Sequence, residues 1–442
     1  MNTVAQVCIE SDCGARLGLA ERIYRCPKCG GLLEIAPPFD QIQDAAALPA
    51  IWKARRESLF AADRSGVWRF RELLPFPADV PLVSLSEGNT PLYDAPQSAA
   101  YCRLDSLRLK HQGANPTGSF KDTGMTTAVT QAAVIGARTV VCASTGNTAA
   151  SLAAYAARAG LRCAILIPEG QVSHGKLAQA LDYGARVLEI AGNFDDCMRL
   201  ANQLAASESI YLVNSINPFR IEGQKTVAVE LLEQLSWQPP DHVVVPGGNL
   251  GNSSALGKGF AELSSLGLIT RLPRLSVIQA EGAAPFAAAF RDGPTVNEAA
   301  GSNLEPWPHP QTLATAIKIG APVSWKKALR AVLKSGGDVV TVSEGEIADA
   351  KAVIGRDGIG CEPASATTVA GIRKLVASGA IKASDNVVAV LTGHVLKDSD
   401  YVIKYHQQSL QTGAGGRLKS AFANTPRRVE GEAAAIMREL EG

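Results

Sequence analysis

Short apolar runs recur through the middle of the chain, separated by Ala-rich stretches of helical period. TVVCAS (139–144), RCAILIP (162–168), RVLEI (186–190) and IYLVNS (210–215) begin 23 or 24 residues apart, with patterns such as TAASLAAYAARAG between them. Repeated βαβ units need that spacing, and near-continuous Val/Ile/Leu runs suit strands covered on both faces. A second set follows: HVVVPGG (242–248), RLSVIQAE (274–281), DVVTVSE (338–344) and NVVAVLTG (386–393). The pattern predicts an α/β protein with two open, mostly parallel sheets and flanking helices. Right-handed crossovers place ligands at the carboxyl ends of such strands.

The ends of the chain read differently. Residues 1–36 form a small cysteine knuckle, and 37–85 form a connecting arm with charged helical stretches such as IWKARRESLF. Residues 411–442 turn polar and helical, as a C-terminal extension. Cys8-x4-Cys13 and Cys26-x2-Cys29 offer four thiolates, enough for a tetrahedral zinc site in a unit too small for a core of its own. A knuckle that folds without metal is the other reading. Cys142 and Cys163 sit inside apolar runs as small hydrophobes, and nine cysteines do not suggest a disulfide framework.

Charge narrows the function. With 43 Lys and Arg against 42 Asp and Glu, the chain has no general pull toward nucleic acid or anionic membrane. In the knuckle, Arg16, Arg22, Arg25 and Lys28 are offset by Glu10, Asp12, Glu21 and Glu34, which argues against a nucleic-acid finger. A 46% hydrophobic and 19% charged composition suits globular domains, and no apolar run approaches the roughly 18–20 residues of a membrane span. The start MNTVAQVCIESD lacks a basic and apolar leader, so a cytoplasmic location is expected.

Three loops carry candidate chemistry. In GANPTGSFKD (113–122), Ser119 or Thr117 is placed to cap a helix that begins near Lys121. An amine at the positive end of a helix dipole has a depressed pKa, which suits a nucleophile. Ser144-Thr145-Gly146-Asn147-Thr148 joins hydroxyls to free amides at a helix start, a carboxylate site, unless Ser144 or Thr145 merely caps. Pro246-Gly247-Gly248-Asn249-Leu250-Gly251-Asn252 can close backbone N–H groups around a phosphate. Ser119-Phe120-Lys121 breaks a Walker A ending, and Gly247, Gly248 and Gly251 do not give a dinucleotide fingerprint. A phosphate nest, a carboxylate nest and a helix-start lysine suggest an amino acid handled on a phosphorylated aldehyde cofactor.

In joint order, SEGNTPL (86–92), NPTGSFKDTGMT (115–126), ASTGNTAAS (143–151), NSINPFRIEGQKT (214–226), VPGGNLGN (245–252) and LTGHVLKD (391–398) resemble fold-type II pyridoxal phosphate enzymes. These share the fold of the tryptophan synthase β chain. The threonine synthase family, including its plant-like branch, is the nearest likeness. The resemblance covers roughly Leu82 to His406 and implies conversion of O-phospho-L-homoserine and water to L-threonine and phosphate. It makes Lys121 the residue joined to pyridoxal 5'-phosphate, with Phe120 against the ring and Asn147 at the phenolic oxygen. Gly247, Gly248, Asn249, Leu250 and Gly251 hold the cofactor phosphate. Thr392 meets the pyridine nitrogen, and a neutral hydroxyl there implies an unprotonated ring and a weak electron sink. Ser144, Thr145 and Thr148 receive the substrate carboxylate, and Ser215 and Arg220 its phosphate. A salt bridge from Arg220 to Glu222 is the structural alternative.

The same likeness divides the body into a large cofactor-binding domain (86–121 plus 233–410) and a small mobile domain (122–232). It also implies a homodimer and S-adenosylmethionine as an effector. Thr123, where many relatives carry Arg, and Val395, where glycine is usual, depart from the family pattern. Val395 raises the question of backbone strain beside Thr392. His174 and His394 read as structural. Rival readings are a threonine or serine dehydratase, a cysteate synthase-like enzyme, or a noncatalytic binder of an amino acid or S-adenosylmethionine.

Overall fold

A computed structural model describes residues 4–170, 174–291, 293, 303–412 and 415–441, with the side chains of 174–176 left out. The eight apolar runs all become strands, 162–168 and 186–190 over their whole length and the others trimmed at their ends. Thr139–Ala143, Arg162–Pro168, Arg186–Ile190 and Ile210–Leu212 form a four-stranded parallel sheet, with Thr139–Ala143 between Ile210–Leu212 and Arg162–Pro168. His242–Pro246, Arg274–Ala280, Val339–Val342 and Val387–Leu391 enter a six-stranded sheet.

That larger sheet holds two strands the apolar pattern does not predict. Leu107–His111 pairs in parallel with Val387–Leu391, and Leu92–Asp94 closes the edge antiparallel to it. Lys110 hides the first from a hydrophobicity reading. Its side chain is fully buried, yet its amine pairs with Glu230 and donates to Thr90 O (2.7 Å) and Gln234 Oε1 (2.8 Å). Burial of a cation is tolerable only with such partners.

The arm at 37–85 packs its aromatics inward. Trp52 lies 5.8 Å from the Trp237 ring, and Trp68 Nε1 donates to Thr126 Oγ1 at 2.7 Å. The N-terminal knuckle is a three-stranded antiparallel sheet, with Gln6–Cys8 between Arg16–Leu17 and Leu33–Ile35. Lys258 and Lys327 dock it by donating to Ile35 O and Leu33 O, each at 2.6 Å. No helix among the described residues is long and apolar enough to cross a membrane.

Two helices bring the sheets together. Lys121–Val134 packs on Pro218–Gln234 so closely that a Cβ on Gly223 would lie 1.8 Å from Thr123 O. Thr123 is therefore buried at a helix crossing, bonded through Oγ1 to Phe120 O (2.8 Å), with no room for an arginine. The Pro218–Gln234 helix spans the expected 232/233 domain boundary without a break.

Candidate active site

Every candidate loop sits at the carboxyl end of a strand or at the start of a helix. Lys121 is the first residue of its helix, and Phe120, the N-cap, makes no side-chain capping bond. Of the two expected caps, Ser119 accepts a long hydrogen bond from the first helix amide, while Thr117 is committed elsewhere. Thr117 N and Oγ1 both donate to the Asp122 carboxylate (2.7 and 2.6 Å), and Ser119 Oγ lies 3.4 Å from Lys121 N. Phe120 N donates to Thr392 O at 2.9 Å, fastening the lysine loop to the end of the Val387–Leu391 strand.

The Lys121 amine stands 4.0 Å from the centre of the Phe120 ring. Its pKa is lowered to about 7, first by burial and then by the Arg220 charge, while Glu362 opposes the shift. The direction is the one expected from the sequence. Its source is burial and a tertiary neighbour more than the helix end.

In the second loop, Gly146 is the N-cap of the helix Asn147–Arg158 and no side chain caps it. Ser144 Oγ accepts from Gly146 N at 3.2 Å, so simple capping by Ser144 or Thr145 is not what forms. Among the described residues the Asn147 and Thr148 amides have no partner, and Thr145 and Thr148 are half-buried there. Asn147 Nδ2 donates to Glu362 Oε2 at 2.9 Å.

The third loop follows the His242–Pro246 strand and opens the helix Gly251–Ser265. A Cβ on Gly247 would lie 2.6 Å from Val277 Cγ1, so only glycine fits this close to the sheet. Leu250 takes the left-handed conformation (φ +63°), uncommon for a side chain of its size, and turns the backbone into the helix start. Asn249 anchors the loop: Oδ1 accepts from Val323 N (2.6 Å), and Nδ2 donates to Ser215 Oγ (2.9 Å).

Arg220 lies at the head of the Pro218–Gln234 helix, after the cap that Asn217 Oδ1 makes to Phe219 N (3.0 Å). It is 2% exposed; among the described residues its guanidinium makes one bond, to Val213 O at 3.3 Å, and Nε has no partner. Glu222, the alternative partner, instead binds Lys225 (2.6 Å) and Lys258 (2.5 Å). Burial lowers the Arg220 pKa to about 10.

Thr392 is buried, and its hydroxyl lies 2.9 Å from Glu362 Oε1 and 3.1 Å from Ser365 Oγ. Glu362, unmarked in the sequence reading, therefore joins Asn147 to Thr392. Its one sequence signal is a Glu-Pro step before an Ala/Ser/Thr-rich helix, Pro363–Ala377, of which it is the N-cap. Val395 starts a 3-10 turn and is not among the residues with positive φ, so the backbone after Thr392 is ordinary. His394 Nδ1 accepts from Leu396 N at 3.2 Å, a local cap in keeping with a structural role. The side chain of His174 lies outside the described residues.

At the knuckle, the sulfurs of Cys8, Cys13, Cys26 and Cys29 all lie within 4.8 Å of one another. Cys8 to Cys29 is 3.4 Å and Cys13 to Cys26 is 3.5 Å, far beyond a disulfide bond and suited to four thiolates around one ion. Among the described residues this is the one grouping of its kind, and it could hold zinc.

The sequence family described as Pyridoxal-phosphate dependent enzyme matches residues 83–393. A threonine synthase of Methanocaldococcus jannaschii is 47% identical over 407 residues, 92% of this chain and 96% of the relative. One from Synechocystis sp. is 43% identical over 372 residues, 84% of this chain and 93% of the relative. Among solved structures, a fungal L-serine ammonia-lyase from Rhizomucor miehei superposes with a TM-score of 0.60 at 19% identity, covering 74% of this chain and all of that one. The processed threonine deaminase isoform 2 of Solanum lycopersicum gives 0.59 at 19% identity, over 69% and 79% of the two chains. These two likenesses speak to the fold alone.

Proposed function

The chain belongs to the threonine synthases of the pyridoxal-phosphate dependent enzyme family, and from that premise we propose how its residues convert O-phospho-L-homoserine and water to L-threonine and phosphate. The residues present fit the cofactor. A half-buried lysine whose amine has a lowered pKa faces an aromatic ring, and a glycine loop at a helix start offers backbone N–H groups to a phosphate. When bound, pyridoxal phosphate supplies an aldehyde for amines and an electron sink for charge developing on substrate carbons.

Lys121 is the amine that would hold the aldehyde, and it would move protons at Cα, Cβ and Cγ of the substrate. A pKa near 7 leaves much of the amine neutral at neutral pH, so it serves as base and, once protonated, as acid. Gly247, Gly248, Asn249, Leu250 and Gly251 hold the cofactor phosphate, while Phe120, Asn147 and Thr392 orient the ring. The open helix start at Ser144, Thr145 and Thr148 receives the substrate carboxylate.

Arg220 carries the substrate assignment. A buried guanidinium whose Nε has no partner among the described residues is what a phosphate dianion would complete. Dehydratases acting on serine or threonine have no such group to bind. The test is phosphate release from O-phosphohomoserine, run beside oxoacid release from serine and threonine. Fast phosphate release supports the reading, and oxoacid release in its place overturns it.

The division into a large domain (86–121 plus 233–410) and a mobile small one (122–232), a homodimer and activation by S-adenosylmethionine are proposed on the resemblance. Sedimentation and initial rates with and without the effector test the last two.

A further inference from the structure

The cysteine knuckle meets the body of the protein on two sides. Lys258 and Lys327 hold its Leu33–Ile35 strand, while its loop from Leu19 to Tyr24 reaches the four-stranded sheet and a helix packed on it. Gln131 Nε2 donates to Leu19 O at 2.8 Å, and the Arg22 guanidinium donates to Ile135 O. The Tyr24 ring lies 5.8 Å from that of Tyr211, and its hydroxyl accepts from Leu212 N at 2.8 Å. Cys26, two residues on, belongs to the four-thiol cluster, so Tyr24 is tethered from behind as well.

The Tyr24 bond falls at a sensitive point. Ile210–Leu212 is an edge strand, paired on one side with Thr139–Ala143. Val213 N points inward, to Val141 O at 2.9 Å, so Leu212 N points outward, where an edge strand leaves its amides unpaired. Tyr24 fills that place. The carbonyl of the same Leu212 accepts from Asn217 Nδ2 at 2.8 Å, and Asn217 Oδ1 caps the helix Pro218–Gln234. Leu212 thus joins the knuckle to the helix start that carries Arg220. One residue further, Val213 O holds the Arg220 guanidinium, and Ser215 Oγ accepts from Asn249 Nδ2 of the glycine loop.

We propose that Tyr24 is a positioning residue for the substrate phosphate: by accepting from Leu212 N it fixes the strand end and helix cap between which Arg220 and Ser215 are held. It touches no substrate and acts through Leu212. This rests on the reading of Arg220 and Ser215 given above. Among the described residues the Arg220 guanidinium makes one long bond, so its aim depends on the backbone that carries it and on Val213. A guanidinium fork grips a phosphate through two parallel bonds, and small errors of orientation weaken both.

The experiment compares native full-length holoenzyme with Tyr24→Phe, which keeps the ring against Tyr211 and removes the acceptor. Amide exchange read residue by residue across 210–214 reports the bond. KM and kcat for O-phosphohomoserine, with the inhibition constant of inorganic phosphate, report the site. Affinity for L-threonine, which has no phosphate, is the control, read from the cofactor's absorbance. In Tyr24→Phe the Leu212 N–H should exchange faster, and the Val213 N–H should not. KM and the phosphate constant should rise about threefold to tenfold, as for one net hydrogen bond, with kcat and L-threonine affinity held. Unchanged Leu212 exchange overturns the proposal, as does faster exchange with an unchanged KM. An equal loss of L-threonine affinity also overturns it, because that is general loosening. Should Tyr24→Phe fail to fold, the native enzyme decides: comparable protection of the Leu212 and Val213 amides supports the proposal, and a fast-exchanging Leu212 overturns it. An unchanged KM in Arg220→Ala is a separate result: it removes the phosphate reading of Arg220 and this inference with it.

Discussion

Arg220 and Lys225 stand five residues apart on one helix, both buried, in opposite surroundings. Lys225 meets Glu222 at 2.6 Å and Glu262 at 2.8 Å, and Glu222 also meets Lys258. Among the described residues Arg220 has a single backbone carbonyl at 3.3 Å and a nitrogen with no partner. Lys121 resembles Arg220: among the described residues nothing accepts a hydrogen bond from its amine within the protein, and its pKa falls to about 7. Burying a charge is costly unless a partner offsets it. The cluster around Lys225 meets that cost within the chain and holds the fold. The pair at the site leaves it unmet, which makes sense where a ligand supplies the missing anion or bond. One helix thus separates charges that serve stability from charges held ready for binding.

That contrast can be broken at four points, the largest effect first. Lys121→Ala should lower turnover by about 10³-fold or more. Residual rates near native, with the cofactor bound, would falsify its role. Glu222→Gln leaves two buried lysines short of a partner and should cost about 3–5 kcal/mol in urea unfolding. Its folded fraction should keep native kcat/KM; loss of activity without loss of stability would merge the two regions. Arg220→Ala should do the reverse. Use of the phosphorylated substrate should fall about 10²-fold, equivalent to 2–3 kcal/mol, with stability held or raised because an unpaired cation is gone.

The smallest effect concerns pH. A lysine whose folded pKa lies near 7 binds fewer protons than the unfolded chain between pH 7 and about 10.4. Its destabilisation is complete below pH 7 and fades as pH rises through that window. Cofactor-stripped Lys121→Met should therefore melt higher than native protein at pH 7, by about 2–4 °C, and match it near pH 10.5. A gap that grows with pH would show that the amine is not the cause.

Much of this was legible along the chain. The runs at 139–144 and 386–393 identify strands, and the glycines at 247 and 248 identify a close backbone approach, because both depend on residues adjacent in sequence. Leu107–His111 escaped that reading, since Lys110 breaks its apolar pattern and is made tolerable by Glu230, 120 residues away. Glu362 escaped it for the same reason. Its meaning lies in Asn147 and Thr392, which are 215 and 30 residues distant.

By itself, then, the sequence determined the α/β elements, the three loops, the lysine and the family, because backbone propensity, turn geometry and motif order are local or linear properties. Only the tertiary structure decided which buried charges are paired, why the Lys121 amine is shifted, and which carboxylate the Thr392 hydroxyl meets. Those depend on distances between groups far apart in the chain. Electrostatic and hydrogen-bond energies are set by such distances and by burial, and neither is written in the order of residues.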